Sequence, residues 1–209
     1  MIHLRVAPSS VGPDDLLPAV SALNNGGVVA FPTETFYGLA VDPRSAGAVK
    51  KIFELKRRAP DQPLPLIASG IAQIIDHVGT MTPLAMRLAS RGWPGALTLI
   101  IPASLELCGD VHLSTGRVAV RIPADAVARA LAQSAGHAIT STSANISGDP
   151  PASTPECVVA SFGAGIDVLV DSGATPAGLP STIVDATGDV PILIRAGAVP
   201  WERVLEFSR

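Results

Sequence analysis

From near its start to its end this chain alternates short apolar runs with capped amphipathic patterns, and that alternation limits the fold more than any other feature. Residues 28–31 (VVAF) form an apolar run closed by Pro32, and residues 64–68, 97–101, 118–122, 138–142, 168–170, 182–184 and 191–194 continue the series. Runs this short, bounded by Gly, Pro or polar clusters, read as strands. Between them lie helical patterns. Residues 13–23 place Leu16, Leu17, Val20 and Leu23 on one face, with Asp14 and Asp15 at the positive end and Gly26-Gly27 as the stop. Ser45 caps a helix running to about Leu55. Helices are also predicted over 71–78, 83–91 and 125–132, and Pro200 opens a last amphipathic turn or two. Thr82-Pro83 and Thr154-Pro155 each pair an N-cap with proline at the first helical position. The implied class is α/β, a twisted, mostly mixed sheet flanked by helices. With no repeat, low-complexity tract or break in composition, one domain over residues 1–209 is expected.

Composition narrows the function classes. Hydrophobic residues at 47% and charged residues at 16% exclude a disordered chain. No apolar run reaches the roughly 18 residues needed to cross a membrane, and MIHLRVAPSS lacks the apolar core of a signal peptide. Cys108 and Cys157 have no metal-site spacing, so a reduced, cytoplasmic setting is expected and both read as packing residues. A net charge of −3 removes any global nucleic-acid signature. Yet Lys50, Lys51, Lys56, Arg57 and Arg58 put five of the fifteen basic residues within nine positions, a density suited to a polyanion or to a solvated helix end. No P-loop, GxGxxG, HExxH, GxSxG or paired-Cys pattern is present.

Four stretches differ from ordinary core. FPTETFYGLAVDP (31–43) runs a strand into Thr33, Glu34, Thr35 and Tyr37, then Gly38 permits a tight turn or close approach. Strand ends of this kind are where α/β proteins commonly bind ligands. In ELKRRAPDQPLPLI (54–67), Lys56 and Arg58 stand two apart, which in an extended segment aims both cations to one side. In RVAVRIP (117–123), Arg117, Ala119 and Arg121 share one face, and two guanidinium groups flanking a small residue can grip carboxylate or phosphate. In ITSTSANISG (139–148), Thr140, Ser141, Thr142, Ser143, Asn145 and Ser147 crowd six uncharged hydrogen-bonding side chains into ten positions. LPSTIVDATGDVPILIRAG adds Ser181, Thr182 and Arg195 at the ends of apolar runs. The shared theme is cations and hydroxyls at strand ends with no nucleophile–base pair. That suits positioning and charge stabilisation of a transferring phosphoryl or nucleotidyl group.

FPTETFYGLAVD, the Lys-x-Arg of KRRAPDQPLPLI, WPGALTLII, RVAVRIP, TSTSANISG and PSTIVD together resemble the YrdC-type threonylcarbamoyl-AMP synthase family, in the family's order and over roughly residues 12–200. The resemblance implies a YrdC/RibB-like fold with a concave basic cavity. It implies an L-threonylcarbamoyladenylate synthase, a nucleotidyltransferase that condenses L-threonine, bicarbonate or CO2 and ATP, releases pyrophosphate and serves the threonylcarbamoyladenosine modification of tRNA. Partner proteins would carry out the later transfer, and Mg²⁺ would arrive with ATP. By the same resemblance Lys56 and Arg58 are the catalytic cations. They would bind ATP with Ser143, Asn145, Arg195 and Arg117, the last standing where many members have a small hydroxyl residue. Thr35, Tyr37, Arg121, Ser141 and Ser181 would hold threonine, with Arg121 on its carboxylate. Ile67 stands where some members carry a histidine, and the chain resembles the single-domain form. Two other readings compete: a non-catalytic RNA-binding module, which the acidic charge and 4% aromatic content disfavour, and a family paralogue acting on another substrate.

Overall fold

The computed structural model describes residues 1–59, 62–112 and 115–209. Eleven strands and eight α-helices are found among them: β1 (Ile2–Arg5), α1 (Leu17–Asn24), β2 (Val29–Phe31), β3 (Gly38–Ala40), α2 (Ala46–Lys56), β4 (Leu66–Ile67), α3 (Ile71–His77), α4 (Pro83–Gly92), β5 (Leu97–Pro102), α5 (Gly109–His112), β6 (Arg117–Arg121), α6 (Ala126–Ser134), β7 (Ile139–Thr140), β8 (Thr142–Ser143), α7 (Pro155–Phe162), β9 (Val168–Asp171), β10 (Thr182–Asp185), β11 (Ile192–Arg195) and α8 (Trp201–Ser208). The caps read from sequence at Ser45, Thr82 and Thr154 are in place, and the structure adds one at Asp125. Ser45 accepts from Ala48 N at 3.3 Å and Thr82 from Ala85 N at 3.0 Å. Asp125 accepts from Ala128 N at 2.9 Å and Thr154 from Cys157 N at 3.3 Å. Each answers a backbone donor that the helix itself leaves unpaired.

The expected mixed pairing is present, divided between two sheets. One runs β1-β9-β2-β3-β8 and the other β11-β10-β5-β6-β4-β7. Parallel pairs (β1 with β9, β2 with β9, β5 with β10, β4 with β6) stand beside antiparallel ones in both sheets. The run 138–142, read as one strand, is the seam. Its first part, β7, pairs with β4 in the six-stranded sheet, while β8 pairs with β3 in the five-stranded one. Ser141 lies between them, its N–H donating to the Pro65 carbonyl at 2.7 Å.

Alternation along the long strands sets one face against the core and frees the other. Leu97, Leu99 and Ile101 of β5, and Val118, Val120 and Ile122 in and beside β6, are buried in one apolar cluster with Leu84, Leu88 and Val184. Thr98, Ile100, Ala119 and Arg121 therefore point the other way. A second cluster packs α1 and α6 against β2 and β9 through Leu16, Leu23, Phe31, Val127, Leu131 and Val168. Strand β1 and the short α5 have weak sequence signals: β1 is an exposed edge strand that pairs only with β9, and α5 is four residues long. No helix among the described residues is long and apolar enough to cross a membrane.

Candidate active site

A cavity of about 640 Å³ opens between the two sheets. The six-stranded sheet contributes Leu66, Thr98, Ile100, Ala119, Arg121, Ile183, Ile194 and Arg195, with Ser181 just before β10. The β2–β3 loop contributes Thr33, Thr35, Phe36 and Tyr37, and the seam contributes Ser141, Thr142 and Ser143. Among the described residues its charged lining consists of Arg58, Arg121 and Arg195.

The β2–β3 loop owes its shape to Thr33. The Thr33 hydroxyl donates to the Phe36 carbonyl at 2.7 Å and accepts from the Thr35 and Phe36 amides at 3.1 and 3.3 Å. The two threonine hydroxyls also stand 3.0 Å apart, and Thr35 lines the cavity. Tyr37 is fully buried and donates to the Gly173 carbonyl at 2.6 Å. Burial, reinforced by the charge of Asp171, raises its pKa well above the ordinary phenol value, so it acts as a neutral wall. Gly38 lets this loop lie against the seam. A Cβ there would stand 3.0 Å from the Phe31 ring and 3.4 Å from Ser141 Oγ.

Arg121 is 7% exposed, and its guanidinium is held by Glu34 from the same loop. Burial lowers the Arg121 pKa, while the charge and hydrogen bond of Glu34 oppose that shift. Glu34 Oε2 is buried with no hydrogen-bond partner among the described residues. Arg195 lies close enough for Arg121 to add to the lowering that burial imposes on it. Its guanidinium donates to the Ser181 carbonyl at 2.7 Å and to the hydroxyl at 3.2 Å. Ser181 Oγ also accepts from Thr98 at 2.8 Å, which leaves its own proton for a ligand. Gly197 permits this arrangement, because a Cβ there would lie 2.3 Å from the Pro180 carbonyl oxygen.

The Lys-x-Arg stretch departs from the extended geometry read for it. Helix α2 continues through Lys56, and Arg57 then adopts a left-handed conformation at φ 51 that reverses the chain. Lys56 is consequently buried, 1% exposed, whereas Arg58 turns to the cavity and donates to the Pro63 carbonyl at 3.0 Å. Pro60 and Asp61 of that stretch lie outside the described residues. Burial, with Arg58 adding to it, pushes the Lys56 pKa down to about 8. Of the residues singled out from sequence, Thr35, Tyr37, Arg58, Arg121, Ser141, Ser143, Ser181 and Arg195 line the cavity. Lys56 and Asn145 stand behind the wall near the seam. Arg117 is on the same strand face as Arg121, but its guanidinium meets Asp185 at 2.9 Å outside the lining. Ile67 is packed in the second apolar cluster, and its neighbour Leu66 faces the cavity. Glu34 and Thr98 received no site role from the sequence. Thr98 had a legible signal, a lone hydroxyl in the apolar run LTLII, and Glu34 had none beyond its place between Thr33 and Thr35.

Three cations and several directed hydroxyls around one cavity, with no nucleophile–base pair at its wall among the described residues, can bind two anionic groups together and orient them. The family model described as Sua5_yciO_yrdC, telomere recombination, matches residues 21–197. A threonylcarbamoyl-AMP synthase of Bacillus subtilis is 38% identical over 196 residues, covering 93% of this chain and 57% of the relative. One from Pyrococcus abyssi is 37% identical over 186 residues, 89% of this chain and 55% of the relative. A third, from Thiobacillus denitrificans, is 40% identical over 169 residues, 80% of this chain and 89% of the relative. The chain thus spans little more than half the length of the first two. Among solved structures, P. abyssi Sua5 complexed with L-threonine matches with a TM-score of 0.90 and 34% identity, over 99% of this chain and 60% of that one. E. coli YciO matches with a TM-score of 0.86 at 22% identity, over 96% of this chain and 98% of that one, a likeness of fold alone.

Proposed function

The chain belongs to the Sua5/YciO/YrdC family, and on that footing we propose that it is an L-threonylcarbamoyladenylate synthase. The observation that carries the reading is the cavity between the sheets, where Arg58, Arg121 and Arg195 stand in one continuous lining. Relatives named threonylcarbamoyl-AMP synthase and a family structure complexed with L-threonine support it.

In the proposed reaction the ammonium of threonine loses one proton before and a second as its nitrogen bonds to the carbon of CO2, giving a carbamate; bicarbonate supplies the CO2, and its hydroxide leaves with one of those protons as water. A carbamate oxygen then bonds to the α-phosphorus of ATP as the bond to pyrophosphate breaks. Arg121, with Ser181 as hydroxyl donor, takes the amino acid's carboxylate. The Thr35 hydroxyl, on the cavity wall, suits the threonine amine or hydroxyl. Arg58 and Arg195 disperse charge on the phosphates, an electrostatic role that requires no covalent enzyme intermediate. Mg²⁺ enters with ATP as part of the nucleotide substrate. Rejection of analogues that lack the hydroxyl, such as valine, follows from the site's polar groups, which stay unpaired when the matching substrate group is missing. Further proteins would pass the threonylcarbamoyl group to tRNA, in the cytoplasm where these substrates meet.

The test is incubation of the purified protein with Mg²⁺, ATP, labelled bicarbonate and each amino acid in turn. Pyrophosphate and a labelled adenylate should appear with L-threonine alone. No product under any condition, combined with tight RNA binding, would overturn the enzyme reading in favour of an RNA-binding module. Product with a different amino acid would mark a paralogue.

A further inference from the structure

Lys56 and Asn145 carry the family's polar signature, yet their hydrogen-bonding capacity is already used. The Lys56 ammonium donates to the Ser143 carbonyl, to the Asn145 carbonyl at 2.7 Å and to Asn145 Oδ1 at 3.4 Å. Asn145 Nδ2 donates to the Ile146 and Asp149 carbonyls at 2.9 and 2.7 Å. Its Oδ1 accepts from Ser143 Oγ at 2.6 Å as well as from Lys56. An ammonium has three donors, and a primary amide has two donors and one oxygen with two lone pairs. Neither side chain retains a position for a ligand. The backbone closes the same unit, since Ala144 N donates to the Tyr37 carbonyl at 2.8 Å and Ser147 N to the Lys56 carbonyl at 2.9 Å. Neither Lys56 nor Asn145 lines the cavity, whereas Arg58 and Ser143 do.

We propose that Lys56 and Asn145 are positioning residues: they lock the bend at 143–145 and commit the Ser143 proton, so that Ser143 Oγ meets the substrates as an acceptor and Arg58 alone of this group meets phosphate. The inference rests on the nucleotidyl-transfer reading and deepens it. It divides the four-residue signature into a contacting pair and a bracing pair. The chemical class assigned to Ser143 is an N–H or O–H of the nucleotide or amino acid, because an oxygen whose proton is spent on Asn145 repels a phosphate oxygen.

The test is calorimetric titration of ATP, ADP, AMP and adenosine into wild type, Lys56→Met, Arg58→Ala, Ser143→Ala and the double variant Lys56→Met/Ser143→Ala. Lys56→Met should weaken all four ligands by a common factor of about ten, the worth of a charge-assisted hydrogen bond. The loss in Arg58→Ala should grow with the number of phosphates. The double variant should bind no worse than Lys56→Met alone, because the two changes disable one unit. The bracing role is overturned by a Lys56→Met loss that grows with phosphate number, by losses that multiply in the double variant, or by wild-type affinity in Lys56→Met. Should Lys56→Met not fold, side-chain nitrogen NMR of the wild type decides the matter. The Lys56 ammonium should show slowly exchanging protons without ligand and keep them with ATP, whereas coupling from its nitrogen to phosphorus across a hydrogen bond would overturn the proposal. Wild type that binds no adenine nucleotide overturns the nucleotidyl-transfer reading and this inference with it. Wild type that binds ATP but shows multiplying losses overturns the bracing role only.

Discussion

Near the 143–145 bend the buried cation, Lys56, has every donor spent on backbone and amide oxygens, whereas across the cavity Arg121 leans on one carboxylate, Glu34, whose second oxygen has no partner among the described residues. The first arrangement is closed: it gives the wall a fixed shape and offers a ligand nothing from the lysine itself. The second is open. Glu34 neutralises Arg121 enough to permit its burial, and a zwitterionic substrate can bring both a carboxylate for Arg121 and an ammonium for the negative field of Glu34. A positive charge near a binding site is thus two different things, depending on how many of its donors the fold has already used. Charge counts from sequence do not separate them.

The largest effect should come from breaking the open pair. Arg121→Met leaves the Glu34 carboxylate buried without its cation, and losing one partner of a buried pair costs about 3–5 kcal/mol. Thermal and urea unfolding should register that loss, and threonine binding should vanish. Arg121→Met/Glu34→Gln should recover most of the stability, because the orphaned charge is gone, without recovering threonine binding. A double variant that stays as unstable as Arg121→Met would show that the pair is held by packing rather than by charge.

Next in size is Arg58→Ala. Removing one preorganised donor from a site of developing charge costs about 100-fold or more in rate. Steady-state turnover with ATP and threonine should fall by at least that factor, with the circular dichroism spectrum unchanged. A variant within a few-fold of wild type would place the phosphates elsewhere in the cavity.

The closed side has a pH signature. The Lys56 pKa is about 8 in the fold, against about 10.4 for a free lysine. Between those values the unfolded chain holds more protons, so this group's contribution to stability rises with pH, on the order of 3 kcal/mol across the interval. Binding should move the opposite way. Above pH 8 the amine loses a donor and turns a lone pair towards three oxygens, which loosens the bend. Wild type should therefore gain stability relative to Lys56→Met from pH 7 to 10 while its ATP affinity falls towards that of the variant. Affinity that holds constant through pH 9 would contradict the bracing geometry.

How legible this was varied with the range of the interactions. The caps at Ser45, Thr82 and Thr154 depend on three neighbouring residues and were readable directly. That Ala119 and Arg121 share one strand face followed from alternation alone; that this face lines a cavity, and that Arg117 on it does not, required the fold. The division of 138–142 between two sheets was not readable, since a five-residue apolar and hydroxyl run carries no mark of which partner each half will take. The same holds for Arg57, whose left-handed turn separates Lys56 from Arg58: arginine has no intrinsic preference for φ of 51, and the turn is fixed by Arg58 N donating back to the Phe53 carbonyl at 2.9 Å. Family resemblance pointed to eight residues that line the cavity but not to Thr98 or to Glu34 on Arg121, and how their hydrogen bonds are used required the fold.

Arg117 should show the smallest effect and discriminates between two addresses for one cation. From strand alternation it shares the face of Arg121, and the family resemblance put it at ATP. In the fold its side chain is 55% exposed and its guanidinium meets Asp185 at 2.9 Å, with Asp185 also accepting from the amide and hydroxyl of Thr187 at 2.9 and 2.6 Å. An exposed pair of this kind contributes about 0–1 kcal/mol, and Asp185 keeps its other partners when the arginine is removed. Arg117→Ala should therefore shift the unfolding midpoint only slightly and leave ATP affinity within about twofold, a change below 0.5 kcal/mol. A tenfold loss of ATP affinity at unchanged stability would mean that Arg117 releases Asp185 and swings to the nucleotide when it binds. The cavity would then carry a fourth cation in its working state.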